Sequence, residues 1–306
     1  MPELPEVESV RRGLARWVTG ARVEGVRVLD ERILGTTSQR DIPAGAGRVL
    51  AAEVDGAGLL APERRGKFLW VPLSDGQRAL ALHLGMSGQL RIHTPDEPLH
   101  RHTRAVFELA PPEPPGQGPA AEERVELRFV DQRIFGHVGI EPLVYGRAHW
   151  GSAERRPVGA SAAEIAPDPF EEGFDVAATA RVMGLRRSPV KAVLLDQGVV
   201  SGIGNIYADE ALHAAGVHPA ALAARLRPAR LRTVLEAARS VMAAALDAGG
   251  TSFDALYVHV NGESGRYALN VYGREGHPCN RCGTPIVREK FRNRSSHFCP
   301  RCQRKR

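Results

Sequence analysis

The chain has 306 residues, 43% hydrophobic and 25% charged, with a formal net charge of +6. That length suffices for two ordinary domains with separate cores, and no run approaches the ~20 apolar residues of a membrane-spanning helix. The first turn of sequence carries Glu3, Glu6 and Glu8 and no basic cluster, so a cytoplasmic protein without a secretory leader or a membrane partner is expected.

In chain order, the spacing of Val7, Val10, Leu14, Trp17 and Val18 predicts a helix over 5–18, with Pro5 suited to its first turn. Period-two alternation then predicts strands at 22–29, 68–73, 79–84, 89–93, 106–109 and 125–130, separated by Gly, Pro and Asp. This is the pattern of an antiparallel sandwich or barrel. Five prolines within 111–119 mark an exposed loop. Residues 151–169, rich in Gly, Ser, Ala, Pro and charge, read as a linker. Beyond it the period becomes helical. Ser188-Pro189 suits the cap and first turn of a short helix ending at Leu195. A second helix is expected over 205–215, stopping at Gly216. A third, over 228–246, places Leu231, Val234, Leu235, Ala238, Val241, Met242 and Leu246 on one face. The expected fold class is α+β multidomain: an N-terminal antiparallel β-sandwich with an N-terminal helix (2–150), the linker (151–169), a helical domain (170–268) and a C-terminal four-cysteine hairpin (269–306).

The charge is concentrated. Residues 274–306 hold ten Lys/Arg against two acids, a segment of +8 that leaves −2 for the rest of the chain. Such a block is an electrostatic footprint for a polyanion, although charge alone does not separate DNA, RNA and anionic lipid. All four cysteines lie in this block, as Cys279-x2-Cys282 and Cys299-x2-Cys302 separated by sixteen residues. Two knuckles so spaced can close a tetrahedron of thiolates around one Zn2+, with no open position, so the site would be structural. The rival arrangement is two disulfides, which a cytoplasmic chain does not keep. A hairpin of this size buries too little to fold unaided, so the metal would supply the missing stability.

Two further strings carry chemistry. The opening Met1-Pro2-Glu3-Leu4-Pro5-Glu6-Val7-Glu8 would, after removal of Met1, present Pro2 as a secondary amine able to form an iminium with an electrophilic carbon. An α-amino pKa of about 7.7–8.0 leaves an appreciable unprotonated fraction at neutral pH. Glu3 stands beside it to move protons. The bland reading is that Pro2 is only a processing signal. In Asp196-Gln197-Gly198-Val199-Val200-Ser201-Gly202-Ile203-Gly204-Asn205-Ile206-Tyr207-Ala208-Asp209-Glu210, three glycines precede a helix start. Bare N–H groups there can face an anion; the alternative is an ordinary tight turn.

These strings resemble the bacterial formamidopyrimidine-DNA glycosylases. So do Arg64-Arg65-Gly66-Lys67-Phe68-Leu69, His83-Leu84-Gly85-Met86-Ser87-Gly88, Asp131-Gln132-Arg133-Ile134-Phe135-Gly136 and Phe291-Arg292-Asn293-Arg294-Ser295-Ser296-His297-Phe298. The resemblance spans nearly the whole chain. It implies a monomeric repair enzyme that excises oxidised purines (8-oxoguanine, formamidopyrimidines) from double-stranded DNA and cleaves the abasic strand by β,δ-elimination, with one structural zinc. By resemblance, Pro2 is the nucleophile, Glu3 the acid/base at the sugar ring oxygen, Glu6 a residue that positions the site, and Lys67 a phosphate-contacting lysine of the catalytic group. The helical domain would hold a helix-two-turn-helix whose Asn205 contacts a phosphate beside the lesion, as would Arg294 at the hairpin tip. His83, His102 and Lys191 would lie at the DNA. Met86 would fill the space left by the extruded base, Arg133 would bond the orphaned cytosine and Phe135 would wedge between bases, offsetting an extrusion cost of a few kcal/mol. A lesion-recognition loop is expected over 251–267. Leu4 and the Met86/Arg133/Phe135 set separate this family from its sister, which removes oxidised pyrimidines. That sister specificity, and a non-catalytic lesion-binding protein, are the alternatives. The chain departs from the family pattern at Ile134, Arg104 and Asp254, where basic or histidine residues are usual.

Overall fold

Helix α1 (Leu4–Val18) joins the two halves of the protein, whose computed structural model describes residues 2–35, 41–112, 124–251, 260 and 265–305. Its first residue, Leu4, belongs to the core of the helical half, and its N–H bonds Gly202 O at 3.1 Å. The next turns bury Val7, Val10, Leu14 and Val18 in the core of the β half. One amphipathic helix therefore serves two hydrophobic cores.

The β half is an antiparallel sandwich. One sheet has the order β1-β6-β7-β5, from β1 (Arg22–Val28), β6 (Thr103–Ala110), β7 (Val125–Asp131) and β5 (Gly88–His93). The other has the order β2-β3-β4-β8-β9, from β2 (Glu63–Arg65), β3 (Phe68–Pro72), β4 (Arg78–His83), β8 (His137–Tyr145) and β9 (Pro157–Gly159). Leu90, Phe107 and Leu127 of the first sheet face Leu69, Val71, Leu80, Leu82 and Val138 of the second. Alternate residues pointing to one face account for this division. The strands read from alternation are all present. Helix α2 (Ala46–Val54), β8 and the short β2 and β9 were not foreseen.

The stretch 151–169 is a correction. It is not a free linker: β9 pairs with β8 through Leu143↔Gly159 and Tyr145↔Pro157, and Val158, Ala162, Ala166 and Asp168 are fully buried. Small residues pack there without the periodicity that marks a core segment. Asp168 receives Arg64 Nη1 at 2.7 Å and Gly66 N–H at 2.8 Å, and Arg64 Nε also bonds Glu8 on α1 at 2.9 Å. Next to it Arg65 forks onto Glu171, both contacts 3.0 Å. These buried pairs fasten the connection between the halves. A cleft of about 540 Å3 opens beside this network and is lined by Glu8, Arg11, Arg64, Glu171 and Asp247.

The helical half contains α3 (Val176–Gly184), α4 (Val190–Leu194), α5 (Asn205–Ala215) and α6 (Pro228–Asp247). Asp175 caps α3 by accepting Ala178 N–H at 2.8 Å. Leu231, Val234, Leu235, Ala238 and Met242 of α6 are buried against Tyr207, Ala211 and Leu212 of α5. The C-terminal hairpin pairs β10 (Val287–Phe291) with β11 (Arg294–Phe298). Asp254 and most of the 251–267 loop lie outside the described residues, as does most of the proline-rich loop. No helix among the described residues is long and apolar enough to cross a membrane.

Candidate active site

The glycine turn before α5 does hold an anion, and that anion is the Glu3 carboxylate. Its oxygens accept the N–H groups of Gly204 at 2.8 Å, Ile206 at 2.8 Å and Tyr207 at 3.2 Å. A helix N-terminus has unpaired N–H groups and a positive dipole end, so a carboxylate is a natural occupant. Glycine is needed at 204 because a Cβ there would lie 2.3 Å from Glu3 Cδ. Glu3 is buried, and burial raises its pKa against the pull of Lys67 and the Ile206 and Tyr207 N–H groups. Glu6 braces the same corner. It accepts Glu3 N–H at 3.0 Å, Tyr207 Oη–H at 2.8 Å and Thr251 N–H at 3.1 Å. Burial, and then the Glu6 charge, push the Tyr207 hydroxyl far up, which keeps it a donor.

Pro2, Lys67 and His83 share one small cavity of about 10 Å3, closed by Val7, Leu84 and Gly85. Lys67 stands at the turn between β2 and β3 and donates to Ile203 O at 3.4 Å. Burial lowers its pKa; Glu3 and Glu6 oppose that and Arg294 adds to it. His83 ends β4. Burial, with His137 and Lys67 behind it, depresses it to about 4, so it is neutral at pH 7. Gly85 N–H bonds its Nδ1 at 3.1 Å, which places the ring hydrogen on Nε2. The His137 ring stacks on it, centroids 4.9 Å apart and 9° from parallel.

The two predicted wedge loops touch. Gly85 has φ +57°, and a Cβ there would sit 2.2 Å from Phe135 O. Met86 is exposed at the surface. The organising residue, missed in the sequence, is Asp131. It is fully buried and accepts the N–H groups of Arg133, Ile134, Phe135 and Gly136 at 2.8–3.0 Å. It also takes the hydroxyl of Ser87 from the Met86 loop. An Asp opening a short turn is a recognisable sequence signal for such bonding. The Arg133 guanidinium lies 4.8 Å from the Phe135 ring centre. Ile134 is held at φ 55°, a left-handed conformation rare for a β-branched residue. Arg104 donates to Asp131 O at 2.9 Å, so at this position a departure from the family pattern supports the loop. His102 Nε2 is covered and has no hydrogen-bond partner among the described residues.

Lys191 does not face outward either. Its ammonium is fully buried, 2.7 Å from Asp209 Oδ1, and donates to Ser295 O at 2.9 Å. Asn205 Nδ2 donates to the same carbonyl at 3.0 Å. Lys191 and Asn205 thus hold the hairpin just past its turn, at the residue that follows Arg294. Asp209 also accepts Ser296 Oγ–H at 2.9 Å and His297 N–H at 2.8 Å. Glu210 accepts the N–H groups of Asn270, Val271 and Tyr272 at 2.8–3.0 Å. No local pattern in the sequence points to these partners, which lie 60 to 88 residues away. The hairpin turns at Arg292, at φ 55°, and leaves Arg294 exposed. The four cysteine sulfurs lie within 4.8 Å of one another, compatible with tetrahedral Zn–S bonds of about 2.3 Å.

Comparison with known proteins agrees with this geometry. Residues 1–138 match the formamidopyrimidine-DNA glycosylase N-terminal domain, 165–256 the formamidopyrimidine-DNA glycosylase H2TH domain, and 276–304 the zinc finger found in FPG and IleRS. The formamidopyrimidine-DNA glycosylase of Thermobifida fusca (strain YX) is 49% identical over 305 residues, covering 99% of this chain and 97% of that protein. That of Rhodococcus opacus (strain B4) is 48% identical over 306 residues, with the same two coverages. The crystal structure of Lactococcus lactis FPG in complex with a Fapy-dG containing DNA superposes with a TM-score of 0.77 at 28% identity, covering 99% of this chain and 100% of that one. With matches along nearly its full length and a four-cysteine hairpin built for one structural zinc, the chain belongs to the formamidopyrimidine-DNA glycosylase family of DNA-repair enzymes.

Proposed function

We propose that this protein excises oxidised purines, 8-oxoguanine and formamidopyrimidines, from duplex DNA and then cuts the strand as an AP lyase, with Pro2 as nucleophile. The amine lone pair of Pro2 bonds C1′ as the glycosidic bond breaks and the base leaves with that electron pair. The nitrogen gives up its proton, and Glu3 protonates the ring oxygen as the C1′–O4′ bond opens to the iminium. Loss of a C2′ proton expels the 3′ phosphate, and a second elimination expels the 5′ phosphate. The observation that carries this reading is the Glu3 carboxyl fixed on the N-terminus of α5 next to Pro2, with Lys67 in the same cavity. Burial keeps Glu3 protonated to a higher pH than a free glutamate, which suits a general acid. The exposed Arg294, the Asn205 beside it, and Met86, Arg133 and Phe135 on the two touching loops would engage the DNA.

Borohydride trapping on an 8-oxoguanine:cytosine duplex, with the cross-linked peptide located by mass spectrometry, tests this. The expected adduct is on Pro2, and Pro2→Gly should lose most of the excision. An adduct formed only on an oxidised-pyrimidine duplex would assign the sister specificity. No adduct on either, with a free Pro2 confirmed, would leave a lesion-binding protein.

A further inference from the structure

We propose that His213 is a positioning residue of the zinc site: its Nε2–H donates to the sulfur of Cys279 and holds that thiolate ready for the metal. The two atoms are 3.4 Å apart, and both residues are buried, His213 4% and Cys279 3% exposed. A zinc-bound thiolate carries no hydrogen, so the hydrogen in this contact comes from the imidazole.

A second contact brings the two together independently. Arg281, inside the same knuckle, donates to His213 O at 2.7 Å and Ala214 O at 3.2 Å. These are carbonyls of the last turn of α5, where a cation is favoured. The first knuckle therefore docks on the end of α5 through a guanidinium on the backbone and an imidazole on the sulfur. The Cys299 sulfur, by contrast, receives Cys302 N–H from within its own knuckle at 3.4 Å. Cys279 alone of these two depends on a side chain from the helical half. An N–H···S bond orients the ligand and draws charge from it, and outer partners of metal ligands are worth about 10–100-fold in affinity.

The experiment follows zinc release from the full-length, zinc-loaded protein to a chromogenic chelator, in wild type, His213→Phe and His213→Gln. The phenyl ring fills the space without a donor; the amide keeps an N–H. Release from His213→Phe should be about 10-fold faster or more, and His213→Gln should restore most of the difference. Wild-type release from His213→Phe, or equal acceleration in both variants, would overturn the proposal, the second by assigning the effect to ring packing. A variant-free readout is the 15N spectrum of the wild-type histidines. His213 should be the Nε2–H tautomer, and the Nδ1–H tautomer would overturn the assignment. Neither readout depends on the glycosylase reaction.

Discussion

Replacing Glu8 with Gln isolates the charge that fastens α1 to the connection between the halves. The Glu8 carboxylate lies 2.9 Å from Arg64 Nε, 2.8 Å from Arg11 Nη2 and 2.8 Å from Arg12 Nε. Burial works to raise its pKa, but Arg11 and Arg64 overcome that and hold it at about 2, against an ordinary 4.5. A carboxylate so displaced contributes about 3 kcal/mol at neutral pH. Arg12 is 59% exposed, and screening of its share brings the expectation for Glu8→Gln to about 2–3 kcal/mol. Because the folded value lies below the unfolded one, the contribution is complete above pH 4.5 and fades as the pH falls toward 2. About 1 kcal/mol should remain at pH 3. Urea unfolding of both proteins at pH 7, 5, 4 and 3 would measure the gap. A gap as large at pH 3 as at pH 7, or one below about 0.5 kcal/mol at pH 7, would refute the argument that this pair is a charge lock.

Gly204→Ala should displace the Glu3 carboxyl, because the new methyl would overlap it at 2.3 Å. Single-turnover excision should fall about 100-fold or more with zinc content unchanged, and normal excision would mean that Glu3 need not sit on α5. Ile134→Arg restores the usual basic residue beside Arg133, so log affinity for DNA should fall more steeply with log salt, by about 0.9; an unchanged slope would show that this position does not reach a phosphate. Arg292→Gly should relieve the left-handed turn at φ 55° and stabilise the hairpin by about 1 kcal/mol. Hydrogen exchange of the β10 and β11 amides would report it, and no gain in protection would dismiss the strain.

Legibility in the sequence followed locality. Helices α1, α5 and α6 were readable because their apolar spacing and stop signals lie within one element, such as Gly216 after α5 with φ 64°. The cysteine spacing was readable for the same reason. Helix α2 was not, since its N-cap is Gly45, which offers no side-chain cap. The β9 segment was missed because Val158 and two alanines are enough to seal it. In the site, the segments that meet could be named from the sequence, but the long-range bonds that place them could not. The anion expected at the glycine turn is Glu3, about 200 residues earlier in the chain. Lys191, expected at the DNA, faces Asp209 instead, a partner that nothing near position 191 announces.

Helix α5 explains why so many of these long-range bonds matter together. Its first turn binds Glu3 and orients Asn205, its middle binds β11 through Asp209 and the segment before the first knuckle through Glu210, and its last turn meets the zinc knuckle through His213 and Arg281. Eleven residues at about 1.5 Å each make a rod of roughly 16 Å. A buried helix is stiff over that distance, so the four-cysteine cluster and the Glu3 carboxyl are fixed in one frame. Arg294 then reaches the active corner from the hairpin side, close enough for its charge to act on Lys67 and Lys191. If Glu3 acts as proposed, the seating of the hairpin on α5 therefore bears on the catalytic corner as well as on the positions of Arg294 and Asn205.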